Sequence, residues 1–292
     1  MTDVNADTSE FTLAPDLQER VIARLGLTHR PEPTLAGLRA LYSAWSRHVP
    51  FDNVRKLIHM RSGNTGPLPG YTPEDFLNGW LAYGTGGTCW SGAGALHAVL
   101  QSLGFDAQRV VATMLVVPDL PPNHGSVQVT LDEQRYLVDS AMLCVEPLLL
   151  DPNAETGVKH RAWGLKCRPK AGRWHIAWRP LHKVEGFECR LERFGATAAE
   201  YQTFYDATRS WSPFNYQVTA RANRNDAVVG MAFGNTISLL NDGTVSVHPS
   251  THEERIRVLI EQIDMSEEIV RQLPQDIATP PPPWSKTANV TS

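Results

Sequence analysis

The chain has 292 residues, 42% hydrophobic and 20% charged, with a formal net charge of −4. That length supports two or three packed units with their own cores, and the composition excludes a disordered chain. The acidic balance and the lack of a dense Lys/Arg stripe argue against nucleic-acid binding, and no apolar run reaches membrane-spanning length.

Four cysteines, Cys89, Cys144, Cys167 and Cys189, lack metal-ligand spacing. Neither a zinc site nor a disulfide framework is expected, and reduced thiols in the cytoplasm follow as the default. The N-terminus is polar and acidic rather than a secretory signal.

Residues 1–14 read as a loose N-terminus. From Asp16 to Leu25, the residues Leu17, Val21, Ile22 and Leu25 recur at helical spacing, and Gly26 supplies a stop. Thr34 caps a second helix with an apolar face of Leu35, Leu38, Leu41, Tyr42, Trp45 and Val49, ended by Pro50. Phe51-Asp52-Asn53 follows as a turn, and residues 61–70 form a turn-rich connector. A short helix from Pro73 to Ala82 then leads into Gly86-Gly87-Thr88-Cys89-Trp90-Ser91-Gly92.

That glycine-broken loop delivers Cys89 to the start of an apolar helical pattern, Ala93, Leu96, Val99, Leu100 and Leu103, which Gly104 closes. In a first helical turn, the macrodipole and the unpaired N–H groups favour thiolate over thiol and can hold an oxyanion. The alternative is a buried structural cysteine. These pieces make a helical unit, residues 15–107, that carries the cysteine loop.

From residue 108 the period changes. Arg109 to Val117 reads as a buried strand. His124 opens the alternation Ser126 to Thr130, Asp132-Glu133-Gln134 is a turn, and Arg135 to Asp139 is the returning strand. His124 and Asp139 then lie nearly opposite each other. A carboxylate beside an imidazole fixes its tautomer, so Cys89, His124 and Asp139 supply nucleophile, base and orienter. Val145 to Leu150, Trp174 to Trp178 and Phe187 to Leu191 add strands, giving a β unit over residues 108–205, with a helix from Tyr201 to Ser210 as a bridge.

The third unit, residues 206–275, alternates from Phe214 to Arg221 and has strands at Val228–Ala232 and Thr236–Leu240. Asn241-Asp242-Gly243 is a hairpin turn before Val245–Val247. Thr251 and Glu254 form a capping-box pattern, and a last helix runs from Ser266 to Leu273. Residues 276–292 are a Pro-rich tail expected to be mobile. The Asn289 sequon is read as chance. A metal site on His48, His59 and His97 is a weaker idea, and no metal is expected.

Four stretches resemble the arylamine N-acetyltransferase family, a branch of Cys-His-Asp enzymes related in architecture to papain-like proteases and transglutaminases. Glu32 to Leu41, running into Val49-Pro50-Phe51-Asp52-Asn53-Val54, is similar to "PT...L..LH......IPFENL". Gly86-Gly87-Thr88-Cys89 is similar to "RGGxC", the His124 hairpin to "H....V...G..Y.VD.G", and Ser212-Pro213-Phe214 to the "SPF" signature.

The resemblance implies an α+β fold with an N-terminal helical bundle, a central antiparallel β-barrel and a C-terminal α/β lid. It implies ping-pong acyl transfer from an acyl-CoA or acyl-carrier phosphopantetheine thioester, through Cys89, to a small-molecule amine, with no permanently bound cofactor. Phe51, Trp90, Met142 and Phe214 would line the substrate pocket, and Ser212 and Pro213 would lie near the coenzyme. Arg209 and Arg221 could meet phosphates.

The chain also departs from the pattern. Thr85 stands where the family has arginine, and Ser91 and Gly92 replace a polar pair after the aromatic Trp90. Ser140-Ala141-Met142-Leu143 replaces a "GFG"-like stretch, which changes how closely a ligand approaches the backbone. The catalytic residues are kept while the walls are rewritten. This points to a specialised acyltransferase of secondary metabolism that takes a larger acyl group from CoA or an acyl carrier protein. An amide synthase closing macrolactams, a thioester hydrolase and a non-catalytic binding homologue are the alternatives.

Overall fold

The computed structural model describes residues 13–160, 164–224 and 227–283. Residues 1–12, most of the expected loose N-terminus, lie outside that set, as does the Asn289 sequon.

Helix α1 (Pro15–Arg24) opens on a proline with Asp16 in its first turn. Helix α2 (Leu35–His48) is capped by Thr34, whose hydroxyl accepts the Gly37 N–H, and it buries Leu38, Leu41, Tyr42 and Trp45. The expected turn at Phe51-Asp52-Asn53 is instead a two-residue strand, β1 (Phe51–Asp52), leading into helix α3 (Val54–Arg61). That helix was passed over in sequence because it is short and its few apolar residues, Val54, Leu57 and Ile58, are interleaved with Arg55, Lys56, His59 and Arg61. Helix α4 (Pro73–Tyr83) is capped by Thr72 and ends at Gly84 with φ of 70°. Helix α5 (Cys89–Ser102) is buried almost all round, packed against α4 and the next two strands.

Those strands, β2 (Asp106–Met114) and β3 (His124–Leu131), begin an eight-stranded antiparallel sheet. It continues with β4 (Gln134–Val138), β5 (Leu148–Leu149), β6 (Thr156–Val158), β7 (Leu165–Lys170), β8 (Arg173–Trp178) and β9 (Phe187–Phe194). Its order is β5-β4-β3-β2-β9-β8-β7-β6, and the two end strands lie against each other, so the sheet is a nearly closed barrel. Asp132 and Glu133 join β3 to β4 with positive φ at both, the geometry of a two-residue hairpin loop.

Two expected strands shift. β2 starts and stops about three residues early, and only two residues of the Val145–Leu150 run pair. Leu143 and Val145 have φ of 52° and 69°, which turns the segment after Asp139 into a coil.

Helix α6 (Ala198–Ala207), with a Thr197/Glu200 capping box, leads to a 3₁₀ turn at Pro213–Asn215. The expected alternation from Phe214 therefore begins only at β10 (Ala220–Arg224). Strands β11 (Ala227–Ala232), β12 (Asn235–Leu239) and β13 (Val245–Pro249) follow, then helices α7 (His252–Glu261) and α8 (Glu267–Val270). The second sheet runs β1-β10-β11-β12-β13, with Phe51 opposite Arg221 and Asp52 opposite Ala220. Its core joins Val54 and Leu57 of α3 to Ala220, Met231, Ile256 and Leu259, so α3 belongs physically to the C-terminal region. The start of the tail is pinned there. Asp276 accepts the Val218 N–H at 2.9 Å and pairs with the buried Arg255 at 3.1 Å.

At the head of α7, Thr251 accepts the Glu254 N–H while Glu254 reaches back to the Thr251 N–H. Thr251→Ala is expected to cost about 1 kcal/mol, a fall of roughly 2–4 °C in Tm, read by thermal denaturation.

Candidate active site

The cysteine loop is held by the strand that precedes α3. Asp52 Oδ2 accepts the Gly86 N–H at 2.6 Å, and the Asp52 N–H donates to the Gly87 carbonyl at 3.2 Å. Asp52 Oδ1 accepts the Val54 N–H at 2.9 Å. Burial pushes the Asp52 carboxyl up to about 6, against the pull of those N–H groups and of Arg55. The glycines are required by close approach, since a Cβ on Gly86 would meet the Pro50 carbonyl oxygen at 1.8 Å. Thr85, at the position of the family's arginine, is fully buried and places no charge there.

Cys89 begins α5, and its Sγ lies 3.9 Å from the Asn123 carbonyl oxygen. His124 opens β3 one residue later. Its Nε2 sits 2.7 Å from Asp139 Oδ2, and Cys89 is close enough to act on its charge. His124 and Asp139 are 2% and 1% exposed, so the pair is shielded from water. Burial alone would lower the imidazole, but the Asp139 charge and hydrogen bond, aided by Cys89, hold it well above its ordinary value. Burial would raise Asp139, yet His124 and the hydrogen bonds it accepts hold it below the usual carboxylate range.

Asp139 is itself fixed from two sides. Its Oδ1 accepts the N–H groups of Ala141 and Met142, both at 2.8 Å. The Tyr42 hydroxyl from α2 accepts the Asp139 N–H at 3.0 Å and lies 2.9 Å from the Asp139 carbonyl oxygen and 3.0 Å from Cys144 Sγ. In sequence Tyr42 was one more residue of an apolar helix face. The signal was its hydroxyl, which needs a partner when buried.

The other expected pocket residues divide. Phe51 and Phe214 meet edge to face with centroids 5.2 Å apart. Met142 is buried and contributes its N–H to Asp139. The Trp90 ring is taken up by packing, stacked on Phe204 at 4.9 Å and edge-on to Tyr201 at 5.1 Å.

Ser212 caps the 3₁₀ turn that Pro213 starts, accepting the Phe214 N–H at 3.3 Å, and Asn53 donates to the Phe214 carbonyl at 3.0 Å. Arg209 bonds Asp206, and Arg221 is buried over the Trp178 ring. His97 Nε2 donates to the Ala107 carbonyl at 3.1 Å inside the core, where burial lowers the ring to about 3. No metal-binding cluster occurs among the described residues.

One residue of this region was missed in sequence. Lys56, on α3, is 3% exposed, donates to Thr208 Oγ1 at 2.8 Å and lies 5.8 Å from the Tyr205 ring centroid. Burial pulls its ammonium down to about 7, a fall that the Cys89 charge opposes. A lysine so placed reads in sequence as ordinary helix surface, and only its contacts with Tyr205 and Thr208 at the end of α6 reveal it.

The N-acetyltransferase family model matches residues 34–269. The arylamine N-acetyltransferase of Mycolicibacterium smegmatis is 27% identical over 250 residues, covering 81% of this chain and 84% of that protein. That of Mycobacterium tuberculosis H37Rv is 28% identical over 155 residues, 50% of this chain and 53% of its own. Among solved structures, the Mycobacterium abscessus arylamine N-acetyltransferase superposes with a TM-score of 0.74 at 19% identity, over 91% of this chain and 95% of that one. The Nocardia farcinica enzyme gives 0.74 at 21% identity, over 91% and 94%. The structural likeness speaks for the fold.

Tyr42→Phe removes one hydroxyl from the Asp139 and Cys144 groups that it joins and is expected to cost about 1–3 kcal/mol in urea denaturation. Lys56→Met is expected to stabilise the protein. The folded ammonium titrates near 7 rather than 10.5, so wild-type stability rises as pH rises between those values. The gap between variant and wild type should be widest at and below pH 7 and close towards pH 10.5. Urea melts at three pH values check this.

Proposed function

Because the chain belongs to the arylamine N-acetyltransferase family, we propose that it transfers an acyl group from a thioester to an amine through a Cys89 acyl-enzyme. The observation that carries this reading is the convergence of Cys89, His124 and Asp139 from three separate elements, with His124 Nε2 2.7 Å from Asp139. With Nε2 engaged by the carboxylate, Nδ1 is the ring nitrogen left for the thiol proton.

In the proposed sequence the Cys89 proton moves to His124 and the thiolate attacks the thioester carbonyl. The C–S bond to the carrier then breaks, and the carrier thiolate takes the proton back from the imidazolium. The amine attacks the acyl-enzyme, His124 accepts the amine proton, and Cys89 leaves as the thiolate that His124 reprotonates. Asp139 stays ionised throughout and orients the ring. Backbone N–H groups of the first turn of α5 would hold the oxyanion. Thioester exchange is nearly thermoneutral, so the burden falls on nucleophile and positioning rather than on driving force.

The finer reading is a specialised acyl group, from CoA or an acyl carrier protein, in a reducing cytoplasmic compartment. It rests on the rewritten stretch from Ser140 to Leu143 and on four free cysteines.

Intact-protein mass spectrometry with a panel of acyl-CoA and acyl-carrier thioesters tests the proposal. An adduct of acyl mass should appear on wild type, be absent from Cys89→Ala and be discharged by an amine. His124→Gln should slow acylation about 10²–10⁴-fold. No adduct and no donor consumption would sink the acyl-transfer reading, and consumption without amine would establish hydrolysis in its place.

A further inference from the structure

We propose that the outer face of β7, β8 and β9 is a docking surface for an acidic carrier protein, which presents its phosphopantetheine-borne acyl group to Cys89. This rests on the acyl-transfer reading above and chooses between its two donors.

Charge is unevenly spread along the chain. Residues 164–194 hold eight Lys or Arg against three Glu, a balance of +5 in a chain of −4, which leaves −9 for the rest. The sheet register gathers much of that excess on one face. Lys166, Arg168 and Lys170 alternate outward along β7, with Ala177, His175 and Arg173 beside them on β8. Glu188 and Arg190 follow on β9.

Two carboxylates are set among these cations. Glu188 lies 2.5 Å from Arg168 and 2.8 Å from His175, and Glu192 lies 2.6 Å from Arg173 and 2.7 Å from Arg190. Lys166 and Lys170 are exposed and pair with no carboxylate among the described residues. Lys170 stands directly opposite Arg173, a like-charge pair that costs the sheet stability. A network serving stability alone has no use for that excess.

The face also lies beside the nucleophile's end of the barrel. The Glu188 carbonyl accepts the Leu115 N–H at 2.8 Å, and the adjacent Met114 N–H donates to Asn123 Oδ1 at 2.8 Å. It is the Asn123 carbonyl oxygen that lies 3.9 Å from Cys89 Sγ. Lys166, Ala177 and Glu188, in register across the three strands, therefore mark the end of the face towards Cys89. From β3 to β8 is three strand spacings, about 14 Å along the sheet. A pantetheine arm has the backbone atoms of about five residues and extends about 17 Å. Exposed Val116, Val117 and Val184, in the loops after β2 and β8, add apolar contact area at that end.

The dimensions suit a protein helix. β7 to β9 spans about 10 Å and Lys166 to Lys170 about 14 Å, the footprint of two to three turns. An acidic helix there sets carboxylates against the exposed Lys166, Arg168, Lys170 and Arg173.

The test loads butyryl on three carriers: a bacterial fatty-acid acyl carrier protein, coenzyme A and pantetheine. Acylation of Cys89 is followed by intact mass, on wild type and on the Lys166→Glu/Lys170→Glu double variant. Wild type should react with the carrier protein about tenfold or more faster than with pantetheine, at equal concentration. Raising salt from about 0.05 M to about 0.5 M should erase most of that margin. The double variant should lose about tenfold with the carrier protein and keep its wild-type rates with the other two.

No margin for the carrier protein overturns the proposal, as does a margin that survives both salt and the charge reversals. A loss shared with coenzyme A but not with pantetheine overturns it too, since the face would then read the nucleotide. A loss shared by all three donors would place the effect on Cys89 instead of on docking. If Cys89 takes butyryl from no donor, the acyl-transfer reading falls and this proposal with it. If coenzyme A or pantetheine acylates it and the carrier protein has no advantage, only the docking surface falls.

Discussion

The carboxylate of Asp139 is buried to 1% exposure, and most of the centre of the molecule is arranged to make that tolerable. An ionised group withdrawn from water must have every lone pair answered, or it is protonated and lost. Here one oxygen meets His124 and the other meets two backbone N–H groups in the coil after β4. That coil needs positive φ at Leu143 and Val145, and it is steadied by Tyr42 from a helix 97 residues earlier. The imidazolium that Asp139 supports is therefore a product of barrel, coil and helical unit together. None of the three could hold it alone.

A second buried carboxylate performs the mechanical counterpart. Asp52 ties the cysteine loop to a two-residue strand, and that strand is the edge of the C-terminal sheet. Thr85 stands where the family has arginine, and Asp52 is answered by backbone N–H groups with the Arg55 charge in support. The loop is positioned by hydrogen bonds and by the tight fit of Gly86 against Pro50, with less electrostatic support than the resemblance implied.

Much of this could be read from residues alone, and the failures share a cause. The helices with apolar stripes, the hairpin that sets His124 against Asp139 and the capping box at Thr251 are local patterns, so spacing exposes them. β1 and α3 escaped because their identity is tertiary. Two residues are a strand only when β10 lies beside them, and in an eight-residue helix the apolar Val54, Leu57 and Ile58 are too few to stand out among Arg55, Lys56, His59 and Arg61. The over-extended strand before Leu148 failed for a backbone reason, since no apolar pattern announces a left-handed φ at Val145. Lys56 is the sharpest case. Its type advertises solvent, while its setting is interior.

The pairing of β1 with β10 also bears on the order in which the chain becomes chemically competent. Phe51 and Arg221 are neighbours in space but 170 residues apart in sequence, and Tyr42 reaches Asp139 across 97. Contacts of such separation close late, after their loop entropy has been overcome. During synthesis the Cys89 thiol emerges well before the β10 strand that flanks its tether. Throughout that interval it is an ordinary cysteine on an unfinished helical unit. Cys89, His124 and Asp139 thus take their final places only as contacts of that separation form.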